Sequence, residues 1–304
     1  MRTFLAAILA CLILAAPAGA ALTINLTFDA SVTSLANSGT IQAACNYAAQ
    51  QFTSNFTDPI TIHITVVAVP GTTILGESLT NLNGTYTYAQ VTAALTNDSK
   101  SASDASFVAS LPVTDPTGGA SFWIPTAQVK ALGLSTAGLP ASDGTFNFGA
   151  GWTYTFDPAN RAVSGAYDFI GLAMHEMSEI MGRIPGLGTT AINGFPAYYP
   201  YDLARFKSSG TRSMNQTDTG VYFSINDGVT NLKTYNSTAG ADLQDWAGGT
   251  NDSFNAFATV GVEEPLTAVD LTVVDIMGYD PVPEPAAVVA IMLVCAGLAL
   301  RRAR

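Results

Sequence analysis

The chain has 304 residues and a formal net charge of −11, with 48% hydrophobic residues and only 12% charged residues. A surface this acidic repels nucleic acid and anionic lipid, so the composition argues against a nucleic-acid-binding protein. The hydrophobic content is sufficient for the core of one large domain or two small ones.

The first twenty residues, "MRTFLAAILACLILAAPAGA", have the three parts of a secretory signal peptide. Arg2 provides the positive start, residues 4–16 are apolar but too few to span a bilayer, and residues 18–20 are small enough for cleavage. The alternative is a buried N-terminal helix, which would lack a polar face. We therefore expect export, with residues 1–20 removed.

Two early segments alternate apolar and polar residues and predict strands with one buried face: "LTINLTF" at 22–28 and "ITIHITVVAV" at 60–69. Between them, "IQAACNYAAQQF" at 41–52 has the three-to-four spacing of an amphipathic helix. His63, one of two histidines in the chain, falls on the polar side of the second strand. We interpret it as a half-exposed strand residue, not a metal ligand.

Further elements are predicted along the chain. We expect short helices at 88–95 and 126–134, two short strands within 145–156, and a loop rich in Gly, Pro and Tyr at 184–206. A strand and turn at 221–228 and a polar loop precede a last helix at 266–279. Because strands and helices are interspersed, and most strands precede the central helix, residues 21–280 predict an α+β domain.

The central helix contains "AMHEMSEIMGR", residues 173–183, between a predicted N-cap at Asp168 and a stop at Gly182. On a helix, His175 and Glu179 are one turn apart on the same face and can bind one metal ion. Glu176 points elsewhere and can accept a proton from a metal-activated water. The alternative is a surface helix in which Glu179 pairs with Arg183.

Residues 281–304, "PVPEPAAVVAIMLVCAGLALRRAR", combine a Pro-Glu-Pro motif, an apolar stretch and terminal arginines in fixed order. This segment resembles the PEP-CTERM sorting tail of Gram-negative bacteria. The resemblance implies transient anchoring of a transmembrane stretch in the inner membrane, cleavage by an exosortase, and release to the cell surface or extracellular matrix.

Removal of both ends leaves 8 basic and 22 acidic residues, a formal charge of 8 − 22 = −14. Of the 3 cysteines only Cys45 remains, so no intrachain disulfide is expected in the mature protein. We interpret Cys45 as a small buried hydrophobic residue.

The order of strands, motif helix, loop and last helix resembles a zincin metallopeptidase domain of the metzincin or matrixin kind. The resemblance implies a mixed twisted sheet packed on helices, with a central active-site helix, and hydrolysis of peptide bonds at a zinc ion. His175 would be a ligand, Glu176 the general base, and Glu179 would occupy the second ligand position. The chain departs from the family pattern, since Glu179 replaces a histidine, the third histidine would fall at Pro185, and Met277 does not form the family's Met-turn.

A third ligand must therefore come from elsewhere, and we predict Asp202, in "YYPYDLARF". Its alternative role is a turn or cap residue paired with Arg205, and Asp168 is a weaker candidate. A hydroxyl from Tyr198, Tyr199 or Tyr201 is a further candidate near the reaction, although such loops commonly only pack. Oxygen-rich ligation would weaken the preference for zinc over manganese or iron.

The loop at 237–254 clusters four possible calcium ligands, but the spacing matches no EF-hand and we expect a solvated loop; these are Asp242, Asp245, Asn251 and Asp252. Three functions therefore remain open at this point. The first is an exported zinc metalloendopeptidase. The second is an inactive surface or biofilm-matrix protein on the same scaffold, and the third is a metal-dependent hydrolase of a non-peptide substrate.

Overall fold

The computed structural model describes residues 21–192 and 194–283 of the chain. The predicted signal peptide, and all but the first three residues of the predicted sorting tail, lie outside the described residues. Within the described part of the chain, no helix is both long and apolar enough to cross a membrane.

The sheet that supports the central helix has the strand order β1-β2-β6-β3. Its strands are β1 (Thr23–Phe28), β2 (Thr61–Val69), β6 (Gly144–Gly149) and β3 (Gly76–Thr80). The first three are parallel, whereas β3 runs antiparallel to β6 along the edge. The predicted alternation in β2 is confirmed, since Ile62 and Ile64 are buried and His63 between them is exposed.

Helices cover this sheet. After the short α1 (Ala30–Thr33), α2 (Ser38–Thr53) packs on β1 and on α6 (Phe169–Met181), which itself lies against β3 and β6. The apolar face predicted for α2 is confirmed, because Ile41, Cys45 and Phe52 are buried. Cys45 is a free thiol and is wholly inaccessible, as expected for a small core residue.

The central helix, α6, begins and ends where the sequence predicts. Asp168 Oδ1 accepts a hydrogen bond of 3.1 Å from the N–H of Ile170, and Gly182 ends the helix with φ of 134°, a conformation that favours glycine. Asp168 is also ion-paired to Arg161 at 2.6 Å, so it is a cap and not a metal ligand. Every residue of α6 except His175 is buried, so the surface-helix alternative is wrong.

The remaining strands form smaller sheets. One has the order β4-β5-β10-β9, with β4 (Leu82–Tyr86), β5 (Ser121–Pro125), β10 (Phe195–Tyr198) and β9 (Thr189–Ile192). Another has the order β12-β11-β13-β14, with β11 (Arg205–Ser208), β12 (Thr211–Arg212), β13 (Tyr222–Phe223) and β14 (Lys233–Thr234). In addition, β7 (Tyr154–Thr155) pairs with β8 (Tyr167–Asp168).

The other helices are α3 (Tyr88–Asp98), α4 (Ala102–Ser110), α5 (Thr126–Ala131), a 3₁₀ helix at Pro200–Ala204, and α7 (Ala268–Ile276). The α+β class is confirmed. The loop predicted at 184–206 instead contains β9, β10 and the 3₁₀ helix. These short elements lack strong periodicity, and β10 is formed by pairing with β5 rather than by local preference.

Three acidic residues lie close together near the start of β2, the end of α3 and the segment after α7; Asp58 and Asp98 are buried and Asp280 is half-buried. Asp58 Oδ2 accepts a hydrogen bond of 2.9 Å from the N–H of Asp280, and Lys100 Nζ lies 3.1 Å from Asp98 and 2.5 Å from Asp280. Burial, with the negative charges of Asp280 and Asp98, raises the pKa of Asp58 to about 7. The folded protein therefore retains a proton that the unfolded chain loses at about pH 4.

Because its pKa is raised, Asp58 contributes most to the stability of the fold below about pH 4. This contribution is lost as the pH rises through about 7. We predict that Asp58→Asn gains stability over wild type by a few degrees in Tm between about pH 5 and about pH 8. Thermal unfolding followed by circular dichroism measures this. The matched control is Asp157→Asn at an exposed turn position. A Tm difference for D58N that does not change with pH would contradict the prediction.

Candidate metal centre

The motif side chains of α6 converge with one residue from a distant loop. His175 Nε2 lies 3.5 Å from Glu179 Oε1 and 3.5 Å from Asp245 Oδ1. One donor atom from each of the three residues lies within 4.8 Å of the others, and they form the only such group among the described residues. We call His175, Glu179 and Asp245 the three-donor group.

Asp202, the predicted third ligand, lies elsewhere and this prediction needs correction. Its carboxylate is fully buried and accepts hydrogen bonds from the N–H groups of Gly186, Leu187 and Tyr199, at 2.9 to 3.1 Å. Asp202 thus holds the loop after α6 in place, which is the turn role considered as the alternative. Asp245 takes the third position instead.

Asp245 lies in the polar segment at 237–254 that we expected to be solvated; Asp242 and Asn251 are exposed as expected, but Asp245 and Asp252 are not. Asp245 is 3% exposed, and Asp252 is fully buried, accepting hydrogen bonds from Lys233, Thr267 and the N–H of Phe254. The four residues named as possible calcium ligands do not form a separate group with metal-ligand spacing within the described residues. The aspartates instead anchor this segment in the core. Its short local pattern, "ADLQDW", gave no periodic signal for burial.

Hydrogen bonds from neighbouring groups hold the donor atoms. His175 Nδ1 lies 2.8 Å from the carbonyl oxygen of Ser253, which fixes the tautomer with hydrogen on Nδ1 and leaves Nε2 facing the group. Glu179 Oε2 accepts from Ser78 Oγ at 2.7 Å, and Glu179 Oε1 accepts from Gln244 Nε2 at 2.8 Å. The donor atoms of His175 and Glu179 are thus each oriented by neighbouring groups.

Arg183 supplies a fully buried positive charge behind the two carboxylates. Its Nη1 lies 2.5 Å from Asp245 Oδ1, and its Nη2 lies 3.5 Å from Glu179 Oε1. Nε donates to Ser178 Oγ at 2.8 Å, and the guanidinium stacks 4.3 Å above the Phe254 ring. The Glu179–Arg183 pair that we considered for a surface helix therefore exists, but inside the protein, where it balances adjacent negative charges.

The charges of the three-donor group and of Arg183 shift the pKa values of His175 and Glu179. Burial lowers the pKa of His175, but Asp245 and Glu179 outweigh burial and raise it to about 10. Burial raises the pKa of Glu179, but the hydrogen bond and charge of His175, with Arg183, lower it to about 2. In the metal-free protein, the carboxylates therefore hold a proton on His175. A divalent cation would have to displace that proton.

Glu176 faces the same space but is not bonded to the group. It is 5% exposed, and no hydrogen bond reaches its carboxyl from any described residue. Burial, followed by the negative charge of Glu179, raises the pKa of Glu176 well above its usual range. An unpartnered carboxyl beside a possible metal site has the position and basicity of a proton acceptor.

The group opens into a cleft of about 530 Å³. It is lined by residues 74–78 at the start of β3, by α6 and by two later loop segments. The loop residues are Gly240, Ala241, Asp242, Asp245, Ser253, Asn255, Ala256, Ala258 and Glu264. Tyr198, Tyr199 and Tyr201 do not line it, so their predicted role near the reaction is not supported. Met277 is 1% exposed and is a core residue, as predicted.

No protein-family model matches this chain, and no curated protein or solved structure matches it either.

Exchange of Asp245 and of Asp202 distinguishes the two candidate third ligands. We predict that Asp245→Asn weakens zinc affinity at least about 100-fold, because it removes a ligand charge and leaves Arg183 without its closest partner. Asp202→Asn should instead lower the free energy of unfolding by about 1–3 kcal/mol, because an amide NH2 group replaces one of the two carboxylate oxygens that accept backbone N–H groups, while zinc affinity changes little. Competition titration with a chromogenic chelator and denaturant unfolding measure both effects. Equal loss of zinc affinity in the two variants would contradict this assignment.

Proposed function

We propose that the protein is an exported metal-dependent peptidase with a zincin-like active-site domain. The observation that carries the proposal is the three-donor group at the base of a cleft, with the unpartnered Glu176 beside it. A buried helix that carries the motif beneath a mixed sheet supports the zincin-like assignment. The resemblance of residues 173–183 to a metallopeptidase helix supports it independently.

The spacing of the donors around His175 would suit one small divalent ion. Atoms about 2.0–2.1 Å from a tetrahedral zinc ion are about 3.3–3.4 Å apart, and the pairs from His175 Nε2 to Glu179 and to Asp245 are both 3.5 Å. A carboxylate oxygen has two lone pairs, so Glu179 Oε1 and Asp245 Oδ1 can each keep their present donor and bind an ion. Three protein ligands leave one position for water or substrate.

A bound zinc ion would supply Lewis acidity that polarises the scissile carbonyl and makes the attacking water more acidic. Glu176 accepts a proton from that water and passes it to the amine leaving group. Ser253 keeps His175 in the correct tautomer through its carbonyl, and Ser78 and Gln244 orient Glu179. Arg183 offsets one of the two ligand carboxylates, so the ion retains more positive charge than two unpaired carboxylates would leave.

The position of the edge strand β3 favours a peptide substrate over esters and over other amides. It borders the cleft along Gly76, Glu77 and Ser78 and pairs with β6 on one side only. An extended peptide can add to such an edge through backbone hydrogen bonds, which places a peptide bond near the metal. Zinc remains the first choice of metal, with manganese and iron next, because two of the three donors are oxygens.

Export, anchoring through residues 281–304 and release by an exosortase are part of the proposal and rest on the sequence motifs. An exported enzyme of this kind would act on proteins or peptides at the cell surface or in the extracellular matrix. Secretion of the full-length protein, with mass spectrometry of both mature termini, would test this part.

A second candidate is a surface or matrix protein that keeps this scaffold without catalysis. The positive charges of Arg183 and a protonated His175 together balance the negative charges of Glu179 and Asp245, so these four side chains carry no net charge without a metal. Purified, folded protein that binds no divalent ion at stoichiometric concentration would favour this candidate over the peptidase.

Removal of the proposed base gives a direct test of the reaction. We predict that Glu176→Gln reduces kcat/KM on a peptide substrate at least about 1,000-fold, while zinc affinity stays within a few-fold of wild type, because Glu176 is not in the three-donor group. Peptide cleavage assays and metal analysis on the same samples measure this. Retained activity in E176Q would exclude Glu176 as the base.

Gly76 provides a steric test of the position of Glu176. A Cβ atom at Gly76 would overlap Glu176 Oε1 and lie 2.6 Å from Leu172 Cδ1, so Gly76→Ala must displace Glu176 or the strand. We expect at least about a tenfold loss of kcat/KM, as misplacement of a catalytic group by about 1 Å can cost more. The control is Gly84→Ala in β4, where an added Cβ meets nothing within 4 Å. Equal activity of the two variants would contradict the proposed position of the base.

A further inference from the structure

The cleft carries more negative charge than the proposed chemistry uses. Among the described residues, six acidic residues and no lysine or arginine line it; they are Glu77, Glu176, Glu179, Asp242, Asp245 and Glu264. Glu179 and Asp245 belong to the three-donor group and pair with Arg183, and Glu176 is the proposed base. Glu77 bonds to Asn147 at 3.1 Å and is exposed. Glu264 and Asp242 therefore remain without a role.

Glu264 is the more deeply buried of the two residues. It is only 5% exposed, and its Oε1 accepts a hydrogen bond of 3.0 Å from the N–H of Thr259. No hydrogen bond from a described residue reaches its Oε2, and no basic nitrogen within the described residues lies within 4.0 Å of its carboxylate. Arg161, which is nearby, donates to the backbone carbonyl of Glu264 and to Asp168 instead. A buried carboxylate with no ion-pair partner is costly, and Glu264 is one of the residues that line the cleft, where a cationic group can reach it.

Glu264 and Asp242 lie close to the metal-binding turns of α6. A Cβ atom at Gly171 would be 2.9 Å from the Cβ of Glu264. Glu264 therefore packs against α6 at the level of Gly171, one turn before His175. Asp242 is exposed and lies two residues before Gln244, the donor to Glu179. From Gly171 to Glu179 the helix rises about 12 Å. Glu264 thus lies near the turn of Gly171, before His175, and Asp242 lies nearer the turn of Glu179.

We propose that the cleft selects peptides with a lysine or arginine next to the scissile bond, and that Glu264 is the main specificity-determining residue. The inference rests on the proposed peptidase function. An ammonium or guanidinium group would give Glu264 the counter-charge that the protein does not supply, and Asp242 would attract a second basic residue more weakly, because it is more exposed. The negative charge of the cleft would repel acidic residues of a substrate.

The test compares two peptides that differ at one position, lysine or the uncharged isostere norleucine. With zinc-loaded wild-type protein we expect kcat/KM to be at least about tenfold higher for the lysine peptide. Glu264→Gln should bring this ratio close to one, and Asp242→Asn should leave it nearly unchanged, because Asp242 would face a second substrate residue that is the same in both peptides. The matched control is Glu263→Gln: Glu263 is the adjacent residue, its side chain is 50% exposed, and it pairs with Arg161 outside the cleft lining.

The outcomes separate this inference from the proposed function. Equal cleavage of both peptides by wild type would overturn the inference and leave the peptidase intact. If wild type cleaves neither peptide, fluorescence anisotropy of both peptides bound to zinc-loaded E176Q decides the inference alone. Tighter binding of the lysine peptide, lost on adding Glu264→Gln but not Glu263→Gln, would support it. Equal binding of the two peptides would overturn it, and circular dichroism confirms that each variant is folded.

Discussion

The structure depends on how buried charges around one helix are balanced. Glu179 and Asp245 bring two carboxylates into the interior, and Arg183, itself fully inaccessible, holds both from behind. Such a network is stable only when each member keeps its partners, because an isolated buried charge costs several kcal/mol. His175 completes the network on the side that faces the cleft. The same arrangement that makes the fold tolerate these charges brings three donor atoms together where we propose that a cation binds.

The rest of the fold positions that network. A helix buried on nearly all its surface can present a rigid set of donors, since neither end is free to fray: Asp168 caps its start and Gly182 ends it. Close packing brings β3 near α6, and Gly76 is required there because a larger residue would overlap Glu176. The loop that carries Gln244 and Asp245 is in turn held by buried polar contacts such as those of Asp252. Rigid supports of this kind are what a preorganised metal centre needs.

Sequence patterns predicted the parts of the structure that local periodicity encodes. The alternation in β2, the helical spacing in α2, and the cap and stop of α6 all agree with the structure, as does the α+β class. The third member of the three-donor group could not be found in this way. Asp202 and Asp245 both follow irregular segments, and which of them meets His175 depends on packing across about 70 residues of chain. Arg183 was visible in the motif, yet its burial between two carboxylates follows only from the tertiary structure.

The central claim is that His175, Glu179 and Asp245 bind one divalent ion. Anomalous diffraction at the zinc edge, from crystals of the protein grown with one equivalent of zinc, tests it most directly. The account predicts a single peak, with His175 Nε2, a Glu179 oxygen and an Asp245 oxygen at about 2.0–2.2 Å and with Arg183 still bonded to Asp245. Density that shows Arg183 and His175 bonded to both carboxylates, with no anomalous peak between them, would contradict it.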